Sequence, residues 1–290
     1  MYRVSQRILT VFVLLMINFL NLYAGERVLS LSRAPDGTVL TEPHSVIFYE
    51  NKYYVADSGN GRLISFGLDG KPLVALNPEG KLKRPVDFMF YKKSELWVID
   101  SELRGLFRID FQRKEIKVFF LNDNGKLLWP SVLQIYNDKM YVLDKVTGFV
   151  VSVRIEGENL VADKIIRPED RKFKGFIDFR VNKDGLWGLS RLNNKVYHLK
   201  ADGSWESISL KGKAILPVSL EVTDEYLFIL DKYLKKVLVF KLTDISKVEE
   251  YGNKGWTVGS FYRPIKIRHL YSNLIGVVDE GNGRVEVIKF

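Results

Sequence analysis

One pattern recurs six times along the chain and restricts it to a small set of folds. Each copy has an alternating segment, a polar turn and an apolar run such as "YYVAD" or "LFILD". The copies are roughly 40 to 50 residues apart, which is typical of propeller blades and longer than most helical repeats. The copies begin at the anchors Pro43, Pro85, Pro130, Gly175, Pro217 and Pro264.

The first five copies each predict four β-strands separated by turns, and no helical periodicity occurs after the first 24 residues. The runs that are apolar on both faces are typical of sheets packed between neighbouring sheets. We therefore predict an all-β fold, a six-bladed β-propeller of four-stranded blades. The sixth copy ends at Phe290 after three strands, so we expect "RVLSLS" near the N-terminus to complete the last blade and close the ring.

The N-terminus predicts export. Arg3 and Arg7 precede an apolar stretch from Ile8 to Leu20, which is shorter than a bilayer-spanning helix needs. We interpret residues 1–24 as a signal peptide cleaved after Ala24, with an uncleaved anchor as the alternative. The mature propeller, residues 25–290, is then a periplasmic or extracellular protein without a membrane span, and we expect a monomer.

Composition limits the chemistry and the partners. The chain contains no cysteine, which excludes disulfides, thiol catalysis, iron–sulfur clusters and thiolate zinc sites. Its net charge of +9 favours acidic partners: anionic lipid headgroups, an acidic polysaccharide, an acidic protein or nucleic acid. For an exported chain we expect an acidic protein or polysaccharide, and we do not expect nucleic acid.

The glycine-rich stretch "VADSGNGRL", with its echo "VVDEGNGRV", does not fit a dinucleotide-binding loop. Such loops lead into a helix, whereas here an alternating strand follows. We predict a turn between two strands, with positive φ at the Asn and Gly positions and the preceding acid capping the turn. The equivalent acids are predicted to be structural; they are Asp57, Asp100, Asp144, Asp231 and Asp279.

These two stretches, together with "YGNKGWTVGSFYRP" before the last copy, resemble the NHL repeat. The resemblance covers essentially all of the mature chain and implies a six-bladed propeller, but it specifies no function. The fourth copy departs from the pattern, because Ser190 replaces the acid.

Propeller enzymes place their chemistry where the first strands meet at the axis. The expected lining consists of Ser45, Asp87, Val132, Ile177, Ser219 and Lys266, followed by Ile47, Met89, Gln134, Phe179, Glu221 and Arg268. A lyase or lactonase that resembles other six-bladed propellers would use Glu42, His44 and Asp87. Lys266 and Arg268 oppose a cation there, so we expect no metal and no cofactor.

Charge is distributed unevenly between the two predicted faces. Turns from second to third and from fourth to first strands lie on one face and carry most of the lysines and arginines. Aromatic residues accompany them, which favours a non-enzymatic binding or scaffolding role on this face. The predicted binding residues are Arg84, Arg104, Trp129, Lys174, Arg191, Lys232, Tyr233 and Arg263.

Overall fold

A computed structural model describes residues 26–156 and 159–290. The predicted signal peptide lies outside these residues, so its cleavage stays a prediction. Among the described residues, no helix is long and apolar enough to cross a membrane.

The chain forms six four-stranded antiparallel sheets arranged as blades, and these confirm the predicted propeller. The first strand in sequence is β1 (Glu26–Leu31). Blade 1 contains β2 (Pro43–Tyr49), β3 (Lys52–Asp57), β4 (Arg62–Phe66) and β5 (Pro72–Leu76). Blade 2 contains β6 (Pro85–Tyr91), β7 (Glu95–Asp100), β8 (Gly105–Asp110) and β9 (Glu115–Phe119).

A short hairpin, β10 (Leu121–Asp123) and β11 (Lys126–Leu127), extends the outer edge of blade 3. Blade 3 itself contains β12 (Pro130–Tyr136), β13 (Lys139–Asp144), β14 (Val150–Glu156) and β15 (Asn159–Ile166). Blade 4 contains β16 (Asp178–Asn182), β17 (Gly185–Ser190), β18 (Lys195–Lys200) and β19 (Trp205–Ser209).

Blade 5 contains β20 (Pro217–Val222), β21 (Tyr226–Asp231), β22 (Lys236–Lys241) and β23 (Asp244–Tyr251). A small parallel pair follows, β24 (Asn253–Lys254) and β25 (Ser260–Phe261). Blade 6 contains β26 (Pro264–Tyr271), β27 (Leu274–Asp279) and β28 (Arg284–Lys289). Single 3-10 turns occur at Ser58–Asn60, Pro78–Gly80 and Glu280–Asn282.

The six first strands β2, β6, β12, β16, β20 and β26 contact one another in a closed ring around the axis. The apolar core is divided into six clusters, several of which combine side chains of neighbouring blades. Burial on both faces explains why the second strands are apolar runs rather than alternating ones.

The N-terminal strand closes the ring as predicted. Strand β1 pairs antiparallel with β28 and becomes the outer strand of blade 6. Leu31 is fully buried in one cluster with Val285 and Val287. The Arg27 Nε donates to the Glu286 carboxylate (2.8 Å), so the closing contact combines apolar burial with an ion pair.

We call the acid at the end of a second strand the blade acid. It joins the segment before the first strand to the turn between the second and third strands. The Asp231 carboxylate accepts the backbone N–H of Ile215 (2.7 Å) and Leu216 (2.8 Å), which precede the blade, and that of Tyr233 (2.9 Å) in its own turn. Asp100, Asp144 and Asp279 make equivalent bonds to the segment before their blade. These contacts support the structural role predicted for the acids.

The glycine turns differ in detail from the prediction. Residues Ser58–Asn60 form a 3-10 turn that ends at Gly61 in the left-handed region (φ +62°), whereas Asn60 does not adopt positive φ. The Asp57 carboxylate does not cap the turn backbone. It accepts the Thr41 N–H (2.7 Å) and the side-chain donors of Asn60 and Arg62.

Blade 4, which lacks the acid, replaces it with an asparagine. The Asn193 Oδ1 accepts the Lys174 N–H (2.8 Å) and the Ser190 hydroxyl (2.8 Å), and its Nδ2 donates to the Lys172 carbonyl (2.7 Å). The same two connections are therefore joined by a neutral amide. Sequence comparison at the position of the acid itself does not detect this replacement.

Truncation of Leu31 tests the closure of the ring. Because this side chain is fully buried, we expect Leu31→Ala to lower the free energy of unfolding by about 2–5 kcal/mol. Val28→Ala on the same strand, where the side chain is 47% exposed, is the matched control. Chemical denaturation that found equally small effects for both variants would contradict closure by β1.

Candidate functional site

Two regions collect polar chemistry: the axis of the propeller and one of its faces. We call the face that carries the connections from second to third strands, and from fourth to first strands, the basic face. The first strands begin at this face and run to the opposite face.

The axis contains a network of six buried charged side chains, none more than 6% exposed. Three are acidic and three are basic: Asp87, Asp178, Glu221, Arg180, Lys266 and Arg268. Four of them were predicted from the sequence as part of the channel lining.

The prediction was wrong for blade 4, where Asp178 and Arg180 occupy the positions assigned to Ile177 and Phe179. Asp178 pairs with Leu189, just as Ser219 pairs with Leu230 in blade 5. The residue equivalent to the anchor prolines is therefore Phe176, not Gly175. A shift of one residue in a strand moves every side chain to the other face, so the error replaced two charged residues by two apolar ones.

Arg180 is the central member of the network. Its guanidinium bonds to the carboxylates of Asp178 (3.0 Å) and Glu221 (2.9 Å) and to the Ile267 carbonyl (3.0 Å). These bonds join first strands of blades 4, 5 and 6. The acids are further satisfied by backbone N–H groups, for example that of His269 on Glu221 (3.0 Å).

Asp87 provides the second centre. Its carboxylate accepts the Ser45 hydroxyl (2.6 Å), the Leu133 N–H (3.0 Å) and the Arg268 guanidinium (3.0 Å). The Lys266 Nζ lies 3.9 Å from Asp87 and 3.4 Å from Asp178, between the two acids. The three carboxylates thus already face three cationic groups.

The network keeps Asp178 and Arg180 charged. Burial of Asp178 opposes its ionisation, but the nearby Arg180 and Lys266 outweigh burial and lower the pKa of this carboxyl group. Burial works against the charge of Arg180 as well, but Asp178 and Glu221 raise its pKa. A charge-neutral, hydrogen-bonded cluster of this kind is costly to disrupt.

A small cavity of about 230 Å³ lies beside the network toward the opposite face. Its polar lining includes Asp87, Gln134, Arg180, Asn182, Glu221 and Arg268. Because Arg180 already bonds to two acids and two carbonyl groups, this cavity offers no uncommitted guanidinium from that residue.

The residues of the alternative enzyme hypothesis have separate partners. Glu42 pairs with Arg84, where both side chains are about two-fifths exposed. The His44 Nδ1 donates to the Val86 carbonyl (3.0 Å). Within the described chain, Glu42, His44 and Asp87 form no hydrogen bond or ion pair with one another.

The other two histidines lie outside this constellation. His198 stacks on Trp187 at 3.7 Å and bonds to Glu206, while His269 is exposed and bonds to the Ser272 carbonyl. In residues 26–156 and 159–290, no group of three or more His, Asp or Glu side chains is arranged to hold a metal ion.

The basic face carries two kinds of cation. Some are paired, such as Arg84 with Glu42 and Arg263 with Glu280 (2.8 Å). Others have no carboxylate within 4 Å among the described residues: Lys145, Arg171, Lys172, Lys174, Arg191, Lys211, Lys232 and Lys254. Most of the unpaired cations belong to blades 3 to 5, so positive charge is concentrated on that side of the face.

The aromatic residues of the basic face differ in whether a cation already contacts the ring. Arg104 stacks over the Trp129 ring at 3.8 Å and is engaged by it. Tyr233 is 66% exposed next to Lys232. Trp256, which is not among the predicted binding residues, is 64% exposed and stacks on Tyr262 at 4.0 Å.

Comparison with solved structures supports the fold. Virginiamycin B lyase from Staphylococcus aureus is 12% identical with a TM-score of 0.61, over 90% of this chain and 98% of that protein. Regucalcin from Agrobacterium tumefaciens, a calcium-binding protein, is 12% identical with a TM-score of 0.64, over 92% and 93%. A protein of unknown function from Bacteroides thetaiotaomicron is 11% identical with a TM-score of 0.62, over 92% of this chain and 72% of that protein.

No protein-family model matches the sequence, and no curated protein matches it. At these identities the structural likeness establishes a six-bladed β-propeller and nothing finer. The resemblance to NHL repeats stays a prediction.

Replacement of Arg180 tests the axial network. Arg180→Met removes the cation and leaves Asp178 and Glu221 buried, so we expect about 3–5 kcal/mol of lost stability by urea denaturation. Arg84→Met, at the exposed pair with Glu42, should cost about 0–1 kcal/mol and serves as control. The double variant Arg180→Met, Glu221→Gln tests the coupling of the two side chains. If its loss in free energy of unfolding equalled the sum of the losses in the two single variants, the side chains would not be coupled.

Acid stability tests the environment of His44. Burial and the ammonium of Lys266 lower its pKa to about 4. In the unfolded chain this histidine binds a proton below about pH 6.5. Between pH 6.5 and 4 the unfolded state therefore binds more protons than the folded state, and the free energy of unfolding falls as the pH is lowered. We expect His44→Asn to lose less stability than wild type over this window in denaturation at stepped pH. His269→Asn is the exposed control, and identical profiles for wild type and His44→Asn would contradict the account.

Proposed function

We propose that the protein is a non-enzymatic binding or scaffolding propeller whose basic face engages an acidic partner, a protein or a polysaccharide. The residues predicted to contribute are Arg84, Arg104, Trp129, Lys174, Arg191, Lys232, Tyr233 and Arg263. We further propose that it acts as a monomer, and its N-terminal sequence supports a location in the periplasm or outside a bacterial cell.

The observation that supports this proposal is the set of cations without carboxylate partners on the basic face. A lysine that is already paired adds little attraction for a distant anion, whereas unpaired charges on one face sum to a directed field. Lys174, Arg191 and Lys232 belong to this unpaired set. Arg84 and Arg263 are neutralised by Glu42 and Glu280, so we expect them to contribute less.

The opposite face provides the contrast. Its turns hold acidic residues such as Asp138, Asp184, Asp224 and Glu225 beside their lysines, and Lys183 is paired with Asp224 (3.0 Å). An acidic partner therefore has one favoured orientation on the molecule.

The alternative, a lyase or lactonase acting at the axis, receives less support. Two structural neighbours are a lyase and a calcium-binding protein, but that likeness extends to the fold alone. The axial residues of this chain do not fit a divalent cation, because Asp87, Asp178 and Glu221 already pair with cationic side chains. Elemental analysis that found stoichiometric divalent metal would favour the enzyme.

Charge reversal tests the proposed face. We expect the quadruple variant Lys145→Glu, Lys174→Glu, Arg191→Glu and Lys232→Glu to lose at least about 10-fold in affinity for polyaspartate and dextran sulfate. The reason is that four unpaired attractive charges become repulsive. Binding is measured by fluorescence titration at low salt, where surface charges are least screened.

The matched control makes the same change in charge on the opposite face. It combines Lys52→Glu, Lys93→Glu, Lys114→Glu and Lys139→Glu, all at exposed positions in turns or at strand ends. We expect it to bind nearly as wild type does. Equal losses in the two variants would mean that net charge, not the basic face, governs binding.

A further inference from the structure

We propose that the basic face has a further partner, the headgroup layer of an anionic lipid bilayer, on which it docks with apolar loop tips inserted. This inference rests on the proposed function, since it uses the same unpaired cations. It adds a second class of side chain on the face, large exposed hydrophobic residues, which a purely ionic contact leaves unexplained.

Besides Val39 (48%) and Phe120 (53%), eight large hydrophobic side chains are exposed in the loops of the basic face. With their exposed fractions they are Leu103 (37%), Trp129 (37%), Val146 (64%), Leu192 (74%), Ile215 (60%), Tyr233 (66%), Trp256 (64%) and Val258 (60%). Single exposed apolar residues are ordinary, but a set of this size on one face of a monomer indicates an interaction surface.

The apolar tips and the cations alternate along the chain. Val146 follows Lys145, Leu192 follows Arg191, and Tyr233 follows Lys232. These pairs occupy the same turn in three consecutive blades, 3, 4 and 5. A tip directly next to a cation suits an interface where the tip enters the acyl boundary and the cation remains among phosphates.

Carboxylates at the ends of second strands accept hydrogen bonds from the backbone of three of the tips. Asp231 accepts the backbone N–H of both Ile215 and Tyr233, and Asp144 accepts that of Trp129 (2.9 Å). The backbone N–H groups of these three tips are therefore already satisfied within the protein. Insertion of the side chain then costs little ordering and little loss of hydrogen bonds to water.

Arg284 fixes the loop that carries Trp256 and Val258. Its guanidinium donates to the carbonyl groups of Trp256 (3.0 Å), Thr257 (2.8 Å) and Ser260 (3.0 Å). Because three such bonds hold the loop, Trp256 is exposed in a defined position. Tryptophan and tyrosine at loop tips favour the interfacial layer of membranes.

The positions of the apolar tips suit a lipid bilayer better than an acidic polysaccharide. The tips come from loops of blades 2 to 6, so they surround the axis instead of forming one compact patch, and a planar surface contacts such a ring at once. An acidic polysaccharide has no apolar layer to receive Leu192 or Ile215. Lysine and arginine side chains near an anionic leaflet add electrostatic attraction, which supplements the insertion of apolar groups.

Vesicle binding tests the proposal. Wild-type protein is titrated with vesicles of phosphatidylcholine alone and with vesicles that also contain phosphatidylglycerol, with flotation and tryptophan fluorescence as readouts. We expect binding to the anionic vesicles together with a blue shift of the emission. The blue shift should be smaller in Trp256→Phe, in which Trp129 is the remaining tryptophan among the tips.

The apolar variant combines Val146→Ser, Leu192→Ser, Ile215→Ser and Trp256→Ser, all at exposed positions outside the predicted set of binding residues. We expect it to lose about 10-fold or more in affinity for anionic vesicles and to keep its affinity for polyaspartate within about 2-fold. The control combines Leu68→Ser, Phe111→Ser, Ile155→Ser and Ile245→Ser, exposed hydrophobic residues at the opposite end of the blades. It should bind anionic vesicles as wild type does.

Each outcome decides between the two proposals. Unchanged vesicle binding by the apolar variant would overturn docking through apolar tips. Wild-type binding to polyaspartate or dextran sulfate without binding to vesicles would overturn the lipid partner and leave the proposed function standing. Binding to none of these probes would overturn both.

Discussion

The buried carboxylate at the end of the second strand, present in five of the six blades, is the contact on which most of this propeller depends. In five blades it joins the turn that follows to the segment that enters the blade, as Asp231 and Asp100 do. The start of the first strand and the turn between the second and third strands are thereby fixed together without a helix or a disulfide. The same contact sets the position of the loops on the basic face, so fold and proposed function share one structural element.

The axis and the face have different tasks in this account. At the axis, Arg180, Asp178 and Glu221 satisfy one another in a buried network that joins the first strands of neighbouring blades. On the face, Lys145 and Arg191 have no such partner. Paired charge inside specifies how the blades meet, whereas unpaired charge outside is available to a partner.

Much of the fold followed from the sequence because strand periodicity and a sixfold repeat leave few alternatives. Asp178 and Arg180 were missed because blade 4 has no anchor proline, and counting from Gly175 instead of Phe176 shifted the strand by one residue. Aligning "LWGLS" with "LFILD" and counting backwards would have found both. The pairing of Arg84 and Arg263 with acids could not be predicted, because Glu42 and Glu280 lie on other segments that only the folded ring brings close.

The central claim is that the basic face, with its charged and apolar loop tips, is the docking surface. Amide hydrogen exchange with and without anionic vesicles tests it most directly, because the readout covers the whole chain at once. The account predicts added protection in the turns around Val146, Leu192, Tyr233 and Trp256, with the opposite face unchanged. Protection confined to the opposite face, or absent while the protein is bound, would contradict it.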